Sequence, residues 1–221
     1  MPSGRRALAV VLAALVMGAL TGSTRSAAEP FHPKLVAGNA AHSGVVWPLP
    51  TPRLDQGSRG TCTVFATAQA INMLPGKRIT QAVADRISDA AQAIPVSAVY
   101  GPDDAIRDTL ARHGYPASYR VLNGVDATLA ALRAGPVRLT VPFFVGMYQT
   151  GPDGRWRPTG AFTWLGHGVV AYGMVGDRVL LLNQWGTWWG INGTAWMTVA
   201  DLRSLFAGYP QFAGAQVWTR A

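Results

Sequence analysis

A chain of 221 residues with 49% hydrophobic and 14% charged residues can bury a sizeable core and is too apolar to be disordered. Its formal net charge of +8 comes from scattered Lys and Arg, with no run that would track nucleic-acid phosphates, so nucleic acid is excluded as a partner. One Cys rules out an internal disulfide, and one Cys with four scattered His offers no metal-ligand spacing, so neither a metal nor an organic cofactor is expected.

Residues 1–28 read as an export signal. Arg5 and Arg6 open it, Ala7 to Leu20 form an uncharged apolar stretch of 14 residues, and Ser26-Ala27-Ala28 supplies the small residues of a cleavage site. That stretch is short for a bilayer-spanning helix. The chain is therefore expected to be secreted or periplasmic, without a stable membrane anchor once the signal is removed. Loss of Arg5, Arg6 and Arg25 would leave 16 basic and 11 acidic residues, a mild +5.

From Glu29 to Pro52 the chain is rich in Pro, Gly and Ala, lacks helical periodicity and reads as extended surface chain. A helix is expected from Cys62 to Leu74, burying Phe65, Ala68, Ile71 and Met73 or Leu74, with Pro75-Gly76 ending it. A second, capped by Thr80, runs to about Ile94; a third starts at Pro102-Asp103-Asp104 and stops at Gly114. A fourth starts at Asp126 and closes at Gly135-Pro136. The period then changes to two, predicting strands at Val137–Val141, Gly168–Val175, Arg178–Asn183, Thr194–Val199 and Ala215–Thr219, with Gly176-Asp177 as a tight turn. Helices first and strands later predict an α+β protein, with a helical lobe at about 53–135, a β lobe at about 136–221, and a cleft where they meet.

The lone cysteine is the pivot. Read blandly, it is a small buried hydrophobe. Yet an unpaired thiol is a liability in an oxidising compartment, and Gly57 and Gly60 sit just before it in a loop that opens a helix. Unpaired backbone N–H groups at such a helix start favour thiolate and can hold an oxyanion. His167 stands between two glycines at the start of an apolar run, while His32, His42 and His113 read as surface or capping residues. Asn183, sixteen residues after His167, ends an apolar strand ahead of Trp185, where its amide could accept the Nδ1–H of the imidazole and leave Nε2 facing a thiol.

The segments Gln56-Gly57-Ser58-Arg59-Gly60-Thr61-Cys62, Gly166-His167-Gly168-Val169 and Asn183-Gln184-Trp185-Gly186-Thr187-Trp188-Trp189-Gly190 together resemble the papain family of cysteine peptidases, in order and spacing, over roughly Val46 to Met197. The resemblance implies a papain-like fold with its cleft between a helical lobe and an antiparallel sheet or barrel. It implies Cys62 as nucleophile, His167 as the acid/base partner in a thiolate–imidazolium pair, Asn183 as the residue orienting the imidazole, and Gln56 as an oxyanion donor. Trp185 would cover the Asn183–His167 bond. Trp189 reads as core.

The chain also departs from that family. Arg59 stands where the family has a half-cystine, Thr63 follows the nucleophile in place of Trp, and Gln184 replaces Ser. The glycine-rich segment lining the family's main specificity pocket is not recognisable. The 24 residues from Glu29 to Pro52 are too few for the family's inhibitory propeptide, leaving export or a separate inhibitor protein as the restraint on activity. The leading reading is an exported thiol peptidase acting on peptide or protein substrates. Its alternatives are a thiol amidase or acyltransferase on cell-wall or partner peptides, and a papain-like binding module without turnover.

Overall fold

The computed structural model describes residues 34–36, 43–97, 99 and 101–221. The export segment expected at 1–28 lies outside them. Strand β1 (Lys34–Val36) and strand β2 (Gly44–Val46) come first. Helices α1 (Cys62–Asn72), α2 (Gln81–Gln92) and α3 (Pro102–Arg112) follow. Next come strand β3 (Ala117–Val121), helix α4 (Gly124–Leu132), and strands β4 (Val137–Phe144), β5 (Phe162–Val175), β6 (Arg178–Leu182) and β7 (Thr194–Thr198). Helix α5 (Val199–Gly208) and strand β8 (Gly214–Arg220) close the chain.

The strands form one eight-stranded sheet in the order β1-β2-β5-β4-β8-β3, with β6 and β7 branching from β5. Every pairing is antiparallel. At 14 residues β5 is long enough to serve two ladders: its first half pairs with β4, and its second half lies between β2 and β6. Between Pro142 and Phe144 the β4–β5 register shifts, and Trp164 takes a left-handed φ of 61° there. The irregularity turns Trp164 and Leu165 out to solvent just before Gly166-His167.

Helix α1 is sunk in the molecule. Val64, Phe65, Ala68 and Ile71 join a cluster with α2 and α3, while Ala66, Ala70 and Met73 join one with Val170, Tyr172 and Leu182 of the sheet. A stripe on one face only would have left the other to water; apolar residues on both faces allow it to sit between helices and sheet. On the sheet's other face, Leu139, Val141, Val169 and Leu181 form the largest cluster, with Trp156 and Trp189.

The α+β class and the four helices stand as expected, but the segregation is incomplete. The stretch read as extended surface chain contributes β1 and β2, and β3 enters from the helical half to pair with β8, placing Tyr119 against Trp218 with ring centroids 5.0 Å apart. Helix α5 was not expected. Its signal was present in Thr198, whose side chain accepts from Asp201 N at 3.0 Å, and in Leu202 and Leu205 at helical spacing. Among the described residues no helix is long and apolar enough to cross a membrane.

Candidate active site

The cysteine loop is clasped by one face of α2. Asp55 and Gln81 exchange two hydrogen bonds, Asp55 N donating to Gln81 Oε1 at 2.9 Å and Gln81 Nε2 donating to Asp55 O at 2.7 Å. Arg59 pairs with Asp85 at 3.1 Å and reaches Asp89 at 3.9 Å. Ser88 Oγ donates to Thr61 Oγ1 at 2.8 Å. Gln81, Asp85, Ser88 and Asp89 follow at helical spacing, so a single helix face holds the loop from Asp55 to Thr61. Val64 N and Phe65 N make the first intrahelical bonds of α1, both to Thr61 O. The N–H groups of Cys62 and Thr63 precede that ladder at the positive end of the helix. Cys62 is a free thiol, half-buried.

The histidine is held differently. His167 is 6% exposed and surrounded by aromatic rings: Trp185 at 4.8 Å between centroids, Phe143 at 5.2 Å and Trp156 at 6.2 Å. Its Nε2 lies 2.9 Å from Asn183 Oδ1, which also accepts from Gln184 N at 2.9 Å. The backbone donor fixes the Asn183 oxygen on that side, so His167 Nε2 must carry the hydrogen and Nδ1 the lone pair. The expected ring orientation is thus reversed: Nε2, not Nδ1, meets Asn183, and Nδ1 is left for the thiol. Burial pushes His167 down to about 4, against the opposing effect of the Asn183 bond, so the imidazole is neutral near pH 7.

The two halves meet at Gly168. A Cβ there would fall 3.0 Å from Cys62 C and from Thr63 N and Cα, so the residue after His167 touches the first turn of α1, and any side chain would press on that backbone. Gln56 N donates to Gln184 O at 2.8 Å, and Asp55 bridges to Trp185, tying the cysteine loop to the Asn183 strand. Gln56 is buried, with its side-chain amide donating to Arg59 O. All four expected residues, Gln56, Cys62, His167 and Asn183, therefore lie in one cluster. No hydrogen bond joins Cys62 to His167 among the described residues.

Three neighbours escaped the sequence reading as parts of this cluster. Gln69, on α1, donates from Nε2 to Asn183 O at 3.0 Å and accepts from Leu54 N at 3.3 Å. Gln184, noted only as a departure, donates its side-chain amide to Gly168 O behind the imidazole. Arg138 of β4 is 2% exposed, pairs with Asp103 at 2.6 Å, and lies within electrostatic reach of Cys62. Its alternation with Leu139 and Val141 suggests a half-exposed strand; both faces of β4 are covered, and the paired Asp103 is what permits a buried guanidinium. Desolvation raises Asp103 despite that partner and lowers Arg138.

Two cavities flank the cluster. One of about 350 Å³ is lined by Thr63, Asp103, Arg138, Thr140, Gly166 and Gln216, adjoining Cys62 and His167 in sequence. Thr63 makes its wall small and polar, as expected. Another of about 340 Å³ is lined by Asp55, Gly57, Tyr148, Trp185 and Trp188. Trp189 is core, as expected, but Trp188 is 76% exposed.

No protein-family model matches the chain. It is 30% identical over 124 residues to the gamete and mating-type specific protein A of Dictyostelium discoideum, a match covering 53% of this chain and 28% of that protein. The chain thus spans little more than a quarter of that relative. Among solved structures it is similar to xylellain, a cysteine protease from Xylella fastidiosa, with a TM-score of 0.50 and 15% identity, covering 86% of this chain and 91% of that one. The bromelain protease of Ananas comosus aligns at a TM-score of 0.48 and 16% identity, over 77% and 94% of the two chains. The helices about a buried α1, the branched antiparallel sheet and the xylellain alignment together give this chain the fold of the papain-like cysteine proteases.

Proposed function

We propose that the chain is a thiol hydrolase that cleaves amide bonds of peptide or protein substrates through an acyl-enzyme on Cys62. The observation that supports this most is the His167–Asn183 bond under Trp185, with Gly168 set against the first turn of the helix that Cys62 opens. His167 Nδ1 takes the Sγ–H proton as sulfur attacks the carbonyl carbon. The oxyanion is held by the Cys62 backbone N–H and by the second side-chain N–H of Gln56. The imidazolium returns its proton to the leaving nitrogen, the C–N bond breaks and a thioester forms. Water, deprotonated by the same nitrogen, then releases the acid and restores the thiol. Because the buried imidazole is neutral near pH 7, His167 acts here as a general base on a thiol; a standing ion pair would need the sulfur's own charge to raise it.

In this reading residues 1–28 direct export, residues 29–221 form the catalytic unit, and the enzyme works secreted or in the periplasm. Catalysis uses protein groups alone. Turnover of quenched peptides by the mature chain, abolished in Cys62→Ala, is the expected result; hydrolysis surviving that substitution would refute the assignment. The small polar wall that Thr63 gives the cavity beside Cys62 favours a second reading, a binding module without turnover. Under it, Cys62 alkylation would follow an ordinary thiol and be indifferent to His167→Ala.

A further inference from the structure

The cavity beside Trp185 has a composition that general amide hydrolysis does not require. Three aromatic side chains, Tyr148, Trp185 and Trp188, border it together with one carboxylate, Asp55. Tyr148 is 56% and Trp188 76% exposed, so their rings are not committed to the core. Tyr148 and Trp185 lie nearly parallel, 13° apart, with centroids separated by 6.1 Å. The Tyr148 backbone is pinned by Trp189 Nε1, which donates to its carbonyl at 2.9 Å.

Asp55 uses one oxygen within the loop, accepting from Gly57 N at 2.8 Å. Its Oδ2 lies 2.6 Å from where a Cβ of Gly186 would stand, and Trp188 Cδ1 lies 3.1 Å from the same point. Gly186, at a φ of 70°, thus lets a carboxylate and an indole share one corner. Among the described residues no Lys or Arg pairs with Asp55.

Aromatic faces attract cations through the ring quadrupole, and an adjacent carboxylate strengthens that attraction. An anion would be repelled by Asp55, and an aliphatic side chain would gain only the area it covers. We propose that this cavity is a cation-binding subsite, which takes a lysine- or arginine-type side chain of the substrate on the Trp185 side of the scissile bond. The proposal rests on the hydrolase reading for its role in turnover, but not for binding itself.

Two experiments keep those apart. In Cys62→Ala protein, indole N–H signals of Trp188 and Trp185 are followed by NMR during titration with Nα-acetyl-lysine amide and Nα-acetyl-norleucine amide. The lysine probe should bind about tenfold more tightly, and Asp55→Asn, which keeps the acceptor for Gly57 N, or the surface change Trp188→Ala should remove most of that difference. In the active chain, a quenched alanine-glycine peptide carries one lysine or norleucine, moved position by position. Lysine should raise kcat/KM about tenfold at one position, and Asp55→Asn should erase the advantage. Equal binding of both probes, or a lysine preference that survives both substitutions, overturns the subsite. Probe discrimination with no hydrolysis at all would overturn the hydrolase reading and leave the subsite standing; hydrolysis with no discrimination would do the reverse.

Discussion

His167 and Cys62, the proposed base and nucleophile, sit in opposite environments. His167 is locked by two successive strands, ringed by Phe143, Trp156 and Trp185, and bonded only to amides. Cys62 sits at a helix start, half-buried, at the end of a loop held by charges and hydroxyls from α2. A proton acceptor gains from a dry, rigid site because its single orienting bond is stronger there. A nucleophile must meet substrate, so its support comes from behind the loop and leaves the sulfur side open. Precision is built by packing on one side and by polar clasps on the other.

Breaking each side should therefore look different. Removing the sulfur is the largest change: Cys62→Ala should lower kcat/KM at least about 10⁴-fold while leaving the unfolding midpoint nearly unmoved. Next is the cost of the dry base. Free histidine protonates near 6.5, but His167 resists until about 4, so between those values the unfolded chain binds more protons and stability falls as pH drops. Roughly 3 kcal/mol should be present above pH 6.5 and lost by pH 4. Urea unfolding across that range would detect it, and His167→Gln should flatten that part of the profile. A change of Asn183 to Ala leaves a buried N–H without its acceptor and frees the ring, and should cost about 10²-fold in kcat with little change in KM. The clasp should respond least. Arg59→Ala breaks ion pairs whose partners are partly exposed, so stability should fall by less than about 1 kcal/mol, and activity should become less sensitive to salt.

The same contrast explains what the sequence revealed. Cys62, His167 and Asn183 stand out in the sequence through the glycines, strand end and tryptophan beside them, whereas Gln56 is singled out only by the family resemblance; the structure brings the four together. Helices α1 to α4 were legible through period, caps and stops. The ring orientation of His167 was not, since it depends on the Gln184 N–H that occupies the same Asn183 oxygen. Nor were the parts made by distant pairing. Arg138 looks like a solvent-facing residue of an alternating strand until Asp103, 35 positions away, is placed against it. Gln69 looks like one polar residue in a helix until Leu54 and Asn183 come to either end of its amide. Strands β1 to β3 are short and owe their existence to their partners: β2 pairs with β5 and in turn carries β1, and β3 pairs with β8.

The clasp of the cysteine loop has one further consequence. Arg59, Asp85, Ser88 and Gln81 hold that loop without a covalent link, where the resembling family uses a disulfide. None of these contacts contains a bond that a reductant can open. The shape of this loop is thus uncoupled from the thiol–disulfide balance of its medium, and Cys62 is the one thiol of the sequence that answers to it.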